Sequence, residues 1–465
     1  MKMKRLMSLC TLAALSMASI QANAGNIDAT AARQAAGEFL KRHATSSMFK
    51  SINPNSIKLT HTQRSGVTGN AYYVFNFDGG GWVVIAGDDR AKQVLAYGEN
   101  GSLDMNSLPT AAKGYLDRFQ AQIECMQNYK GEVAPLKAPK RVQPIGPLMQ
   151  TNWAQGNPFN RQCPQYGGEY SSVGCAGLAM AQILYYWKYP KNMPVVPSYQ
   201  NSYNYQYIPQ LPERTINYDL IIPQYTLFTE SGTLAWVDGV TDEQKQEVAW
   251  LCRYAAQSCQ MNFSPDGSGS NVEKQKNGFI LLGYDSSAKL LGLEAWPARN
   301  TWNTTDYTDE EWVALINAQL EAKHPIPYSM EDFGDGHAFV VDGVDADGLY
   351  HVSWGWYGRG DGWFQHRAFN VTVQNEYMEF NDALFMVVDL YPYEGYVIPG
   401  GDEPEKKLGD INGDGFVNVS DVTDLISAIL NSEVDSLDAS IANINGDENI
   451  NVSDVTALIA MILNN

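Results

Sequence analysis

The stretch from Ser171 through Gly174-Cys175 to Trp187 constrains this chain most. A glycine and a cysteine precede a run of helix formers, with apolar residues at Leu178, Ala181, Leu184 and Tyr185. That spacing predicts a helix with one buried face, beginning at or near the cysteine. A thiol placed there faces backbone N–H groups that lack intrahelical partners, at the positive end of the helix dipole. Both effects favour the thiolate, which is the nucleophilic form. An unpaired cysteine is more often a small buried residue. Gly174 favours the reactive reading, because a residue without a side chain would leave open space beside the sulfur.

A cysteine nucleophile needs a base, usually a histidine brought close by the fold. After residue 141 the histidines are His324, His337, His351 and His366. His337 follows Asp332-Phe333-Gly334-Asp335-Gly336 and opens the strand-like run Ala338-Phe339-Val340-Val341. A base at a loop–strand junction can face a cleft while its strand anchors it. His351, inside Leu349-Tyr350-His351-Val352-Ser353-Trp354, reads as a core or sheet-surface histidine. His324 precedes Pro325 at a predicted helix end, where a helix C-terminus explains it. His366 has no distinguishing context.

Four motifs occur in order: Asn152 to Asn160, Gly174-Cys175, Gly336 to Gly343, and Trp354-Gly355-Trp356. Together they resemble the streptopain family of secreted bacterial cysteine peptidases, over roughly residues 28 to 392. The resemblance implies a papain-like fold, with Cys175 as nucleophile and His337 as general base and acid. It also implies that Gln155 donates to the oxyanion and that Trp354 shields the pair. Where family members often carry Asn, this chain has Ser353, so a His-orienting role there is open.

The formal net charge of −20 argues against nucleic acid or anionic membranes as partners. Residues 1–24 read as a signal peptide, with Lys2, Lys4 and Arg5, an apolar run from Leu6 to Ile20 and the site Ala22-Asn23-Ala24. No later segment offers about 18 uninterrupted apolar residues. From residue 25 the chain predicts a small α+β unit. It has helical stripes at Ala32, Ala36, Phe39 and Leu40 and at Leu116, Phe119, Ile123 and Met126. Between them lie strand-like runs at 71–77 and 82–86. A basic, Pro-containing linker follows and reads as an exposed cleavage site, closing the unit at residue 141. The resemblance makes this unit an inhibitory propeptide.

Residues 142–395 are expected to form the catalytic domain, with helices first and a mostly antiparallel sheet afterwards, an α+β arrangement. This order would set Cys175 on a helix facing His337 on the sheet. Thr241-Asp242-Glu243-Gln244 and Thr308-Asp309-Glu310-Glu311 predict capping boxes. Cys252 and Cys259 lie about 10 Å apart along one helix, too far to bridge. The Tyr-, Asn- and Pro-rich stretch 190–223 shows little periodicity, and Arg359-Gly360-Asp361 reads as an ordinary turn.

Residues 396–407 form a polar linker, and residues 408–465 contain a repeat at an offset of 33. Asp410 to Asp421 matches Asn443 to Asp454, each copy followed by an apolar helical stripe. Oxygen side chains recur at loop positions 1, 3, 5, 9 and 12. In the first copy these are Asp410, Asn412, Asp414, Asn418 and Asp421; in the second, Asn443, Asn445, Asp447, Asn451 and Asp454. That is the donor pattern of a Ca²⁺ loop. Its Asp at position 12 resembles a type I dockerin, which implies a small all-α module with structural Ca²⁺ and a cohesin-like partner. The remaining alternatives are a non-protein amide or acyl substrate for the Cys–His pair, or an idle papain-like binding protein tethered by the module.

Overall fold

The computed structural model describes residues 25–43, 56–128, 142–202, 204–228, 233–293, 307–331, 336–368, 383–393, 408–411, 417, 419–430, 434, 437–447 and 449–464. The expected signal segment, cleavage stretch and polar linker lie outside these residues.

The N-terminal unit comprises α1 (Ala29–His43), β1 (Ile57–Arg64), β2 (Asn70–Phe77), β3 (Trp82–Ala86), β4 (Val94–Gly98) and α2 (Thr110–Asn128). The central body has α3 (Cys175–Trp187), α4 (Asp242–Ser258), α5 (Val272–Leu281), β5 (Lys289–Leu293) and α6 (Asp309–Glu321). It continues with β6 (Ile326–Glu331), β7 (Gly336–Val344), β8 (Tyr350–Ser353), β9 (Gly362–Phe364) and β10 (Ala383–Val388). The C-terminal repeat forms α7 (Val419–Leu430), α8 (Ala439–Ala442) and α9 (Val452–Asn464).

Local signals placed these elements well. Both expected capping boxes are present: Thr241 and Gln244 bond reciprocally at the start of α4, as do Thr308 and Glu311 at α6. Each satisfies N–H groups that a helix start leaves bare. Cys252 and Cys259 are buried free thiols in the α4 region. The 190–223 stretch is less irregular than expected, since residues 192–193 pair with 214–215 and 199–200 with 207–208.

The two α+β units share one sheet. Within the described residues its ten strands run β1-β2-β3-β4-β9-β8-β7-β6-β10-β5, all antiparallel. The junction is the β4–β9 ladder, which pairs Tyr97 with Trp363 and Ala96 with Phe364. Each unit alone would present a bare strand edge there, and joining them satisfies both.

Helices then cover the two faces. On one face α1 packs on Tyr73, Phe75, Val83, Ile85 and Trp363. Further along the same face, α3 packs on Ala338 and Val340 of β7, and α4 packs on α3 within the same core. On the other face α2 and α6 share a core with Tyr328, Phe339, Val352, Trp354 and Phe364. This second core crosses the junction between the units. The C-terminal repeat has its own core, in which Val422 and Leu425 meet Val455 and Leu458.

Candidate active site

Helix α3 begins at Cys175, as the spacing predicted. Gly174 caps it at φ 82°, and its role differs from the one expected. A Cβ there would come 2.5 Å from Met261 Sδ and 2.8 Å from the Ser268 carbonyl oxygen. The glycine serves close approach and a left-handed backbone, with no open space on that side. One turn on, Gly177 permits a close approach alone, since a Cβ there would lie 2.8 Å from that of Ala256. Small residues thus seat the Cys175 end of α3 tightly on α4.

The Cys175 sulfur lies within hydrogen-bonding reach of the N–H groups of Ala338, Ala176 and Cys175 itself. Burial pushes its thiol above the ordinary value, although these three amides pull it down. The helix-start effect expected from sequence is present, and desolvation outweighs it in this form of the chain.

Backbone hydrogen bonds converge on the same place. The Val173 N–H donates to the Gln155 carbonyl at 3.0 Å, and the Tyr357 N–H to the Trp153 carbonyl at 3.1 Å. Ala154 forms a bridge with Trp356. Half-buried Gln155 is therefore held between the residues preceding Cys175 and those following Trp354. His337 is the second residue of β7, directly before Ala338. Strand register puts it opposite Met330, and Phe339 opposite Tyr328. Alternation then assigns His337 to the face of Phe339 and Met330, which α2 covers, whereas Ala338 and Val340 take the α3 face. The expectation that the His337 side chain faces the Cys175 helix is not what this register gives.

Trp354 is fully buried. Its indole N–H donates to the Gly360 carbonyl at 3.0 Å, and its backbone N–H to Asp361 Oδ1 at 2.9 Å. Its ring meets Phe339 at 4.7 Å, Phe364 at 5.2 Å and Tyr115 of α2 at 5.6 Å. The N-terminal unit also grips the neighbouring chain. Arg359 donates to the Ser107 carbonyl at 3.1 Å, Tyr115 to that of Gln365 at 3.1 Å, and Arg118 to that of His366 at 2.7 Å.

In the C-terminal repeat, Asp421 and Asp454 are fully buried at the twelfth loop positions. Asp421 accepts from the Ile411 N–H at 2.8 Å. Asp454 accepts from Asn445 at 3.2 Å and Asn451 at 2.9 Å. Asp410 is buried, and Asn412, Asp414 and Asn418 lie outside the described residues. In the second loop the Asn443 side-chain oxygen is buried without a hydrogen-bond donor, while its amide donates to the Asp447 carbonyl. Among the described residues no three His, Cys, Asp or Glu converge on one point. The second loop's donors are largely Asn oxygens. An orphaned buried oxygen beside Asp447 and Asp454 fits a hard cation that takes oxygen ligands.

Residues 153–364 match the peptidase C10 family, residues 24–123 the Spi protease inhibitor family, and residues 408–463 the dockerin type I domain. Streptopain of Streptococcus pyogenes is 29% identical over 336 residues, covering 68% of this chain and 78% of that protein. These matches mark residues 153–364 as a streptopain-type cysteine peptidase domain. The thiol protease/hemagglutinin PrtT of Porphyromonas gingivalis is 26% identical over 387 residues, or 79% of this chain and 42% of that protein. A fragment of Prevotella intermedia prointerpain A superposes with a TM-score of 0.56 at 23% identity, over 71% of this chain and 97% of the fragment. That likeness concerns the fold, papain-like with a preceding inhibitor-type domain.

Around the candidate site lie polar residues that motif reading passed over. His351 Nδ1 lies 2.6 Å from Asp342 Oδ1, and Asp342 Oδ2 accepts the Met149 N–H at 2.8 Å. Burial opposes the His351 charge, but Asp342 more than compensates and raises the histidine above its ordinary value. Asp361, read from sequence as a turn residue, receives the Trp354 N–H, and burial pushes its carboxyl up to about 7. Gln182 is buried in an otherwise apolar part of α3. A polar residue inside a buried helical stripe was the available signal.

Proposed function

We propose that this chain is a secreted cysteine endopeptidase made as a zymogen, with residues 1–24 as signal peptide, 25–141 as inhibitory propeptide and 142–395 as catalytic domain. Residues 396–407 serve as a linker and 408–465 as the docking module. The approach of the Cys175 sulfur to the Ala338 amide, with the Gln155 carbonyl bonded to Val173 two residues before the cysteine, supports the catalytic reading most directly. In the matured enzyme Cys175 attacks the scissile carbonyl carbon as the thiolate, and the Gln155 amide donates to the developing oxyanion. His337 gives its proton to the departing amine, leaving a thioester. It then takes a proton from water, which attacks the thioester, releases the acid and restores the thiol–imidazole pair. Trp354 keeps water away from that pair.

The register of His337, opposite the Met330 that Gly114 of α2 approaches, and the raised Cys175 thiol fit a latent precursor. Among the described residues no helix is long and apolar enough to cross a membrane.

The docking module would hold Ca²⁺ through Asp410, Asn412, Asp414, Asn418 and Asp421 and through Asn443, Asn445, Asp447, Asn451 and Asp454, presenting its helices to a cohesin-like partner. The first loop has more carboxylates and so binds more tightly. Calcium titration of the full Cys175→Ala chain should resolve one tighter and one weaker site, and Asp410→Ala should remove the tighter. Two equal sites would contradict this.

The deciding catalytic experiment treats the matured chain with an epoxysuccinyl peptide and maps the adduct. Labelling confined to Cys175, with peptide hydrolysis lost in Cys175→Ala, is the expected result. Gln155→Ala should lower kcat by roughly 10²–10³. Hydrolysis by Cys175→Ala at the normal rate would end the proposal.

A further inference from the structure

Resting on the reading of Cys175 as nucleophile, we propose that Gln182 is a positioning residue that holds the oxyanion-donor segment, the nucleophile helix and the Trp354 loop in one register, through Thr151 and Ser353. Gln182 lies on α3 seven residues beyond Cys175, about two turns along the same side of the helix. It is 1% exposed, and its surroundings on α3 from Ala176 to Leu184 are apolar. The amide Nε2 donates to Thr151 Oγ1 at 2.9 Å and to Ser353 Oγ at 3.1 Å, which uses both of its hydrogens.

The two acceptors identify what is being aligned. Thr151 is buried four residues before Gln155, in the segment that Val173 and Trp356 hold beside Cys175. Ser353 is buried at the end of β8, immediately before Trp354, and sits opposite Val340 on the α3 face of the sheet. Its hydroxyl accepts from Gln182 and donates to Asp361, the carboxylate that also receives the Trp354 N–H. One side chain thus ties together three chain segments that otherwise share no covalent neighbour. This arrangement also accounts for serine where relatives often carry Asn. Register places Ser353 on the face opposite to that of His337, where a short hydroxyl completes the relay from Gln182 to Asp361.

A residue that only fills space would affect stability without a specific kinetic signature. A residue that sets the position of Gln155 should act on kcat, because the oxyanion forms after substrate has bound. The test uses the full chain, matured in trans by a trace of active wild-type enzyme, with Tm, KM and kcat measured on a peptide substrate. Gln182→Met keeps the volume and removes the donors. It should lower kcat about tenfold or more, with KM within about twofold. Alkylation of Cys175 by the epoxysuccinyl peptide, which passes through no tetrahedral acyl oxyanion, should slow far less. Thr151→Val should reproduce a smaller part of the kcat loss, and Thr151→Ser should restore it. A folded Gln182→Met enzyme with wild-type kcat overturns the proposal, whatever its Tm. If Gln182→Met does not fold, the Thr151 pair decides, and an unchanged kcat in Thr151→Val overturns it equally. Failure of the wild-type chain to be labelled at Cys175 would instead overturn the catalytic reading on which this rests.

Discussion

Cys175 meets β7 at the Ala338 amide, on the face of the sheet that α3 and α4 cover; His337, one residue earlier in β7, takes the face that α2 covers. The first environment is built within the central body. Gly174 and Gly177 seat α3 against Met261 and Ala256, and Gln182 joins α3 to Thr151 and Ser353. The second depends on the N-terminal unit. Gly114 of α2 lies so near Met330, the register partner of His337, that an added Cβ would come 3.2 Å from its methyl group. The surroundings of Cys175 are therefore expected to persist after the proposed maturation, and those of His337 to change.

Four measurements would break or sharpen this contrast. The largest effect should come from Trp354→Ala, which removes a fully buried indole packed edge-on or tilted against Phe339, Phe364 and Tyr115. It should destabilise the precursor by about 3–5 kcal/mol in denaturant titration, and a loss below about 1 kcal/mol would remove Trp354 from the shared core. Next, Tyr115→Ala should weaken docking of the N-terminal unit by about 3 kcal/mol. On a gel time course the variant should convert to the shorter form several times faster than wild type. An unchanged rate would mean that α2 does not restrain the base.

Gly174→Ala tests the other face. A methyl at φ 82°, directed at Met261, should shift Cys175 and lower kcat by roughly 10²-fold while Tm falls only modestly. Retained activity would show that the nucleophile's seat is softer than its packing implies.

The smallest effect concerns pH. Burial raises the Glu99 carboxyl of the N-terminal unit despite the attraction of His351 and His43, and burial likewise raises Asp345, which accepts from Tyr97 at 2.8 Å across the junction. His351 is raised as well, held by Asp342. Groups with raised values in the assembled chain stabilise it below their free values, and that contribution fades as pH rises through the raised ones. Lys92, lowered to about 8 by burial, acts in the opposite sense, from about 8 up to its free value near 10. His324 and His366, lowered by burial to about 4, also act in the opposite sense up to their free value of 6.5, so the Glu99 contribution is read as a difference. As pH rises above the ordinary Glu value of 4.5, the Tm of the Cys175→Ala chain should fall relative to that of the same chain carrying Glu99→Gln, and a relative Tm that rises would reverse the assignment.

The sequence by itself determined much of the local structure. A cysteine before an apolar helical stripe located α3, two capping boxes located α4 and α6, and the 33-residue repeat located the loops ending at Asp421 and Asp454. Each of these signals depends on side chains within a turn or two of one another, so each is legible from one stretch. Four features were decided only by the tertiary structure. The β4–β9 junction is made by backbone hydrogen bonds between strand edges, which carry no side-chain code. The pKa of Cys175 is set by a contest between helix-start amides and burial, and burial is a property of everything packed around the sulfur. The face taken by His337 follows from pairing with Met330, because a one-residue change of register would reverse it. Gln182, Ser353 and Asp361 look unremarkable along the chain, since buried polar groups acquire their roles from partners that folding brings from distant segments.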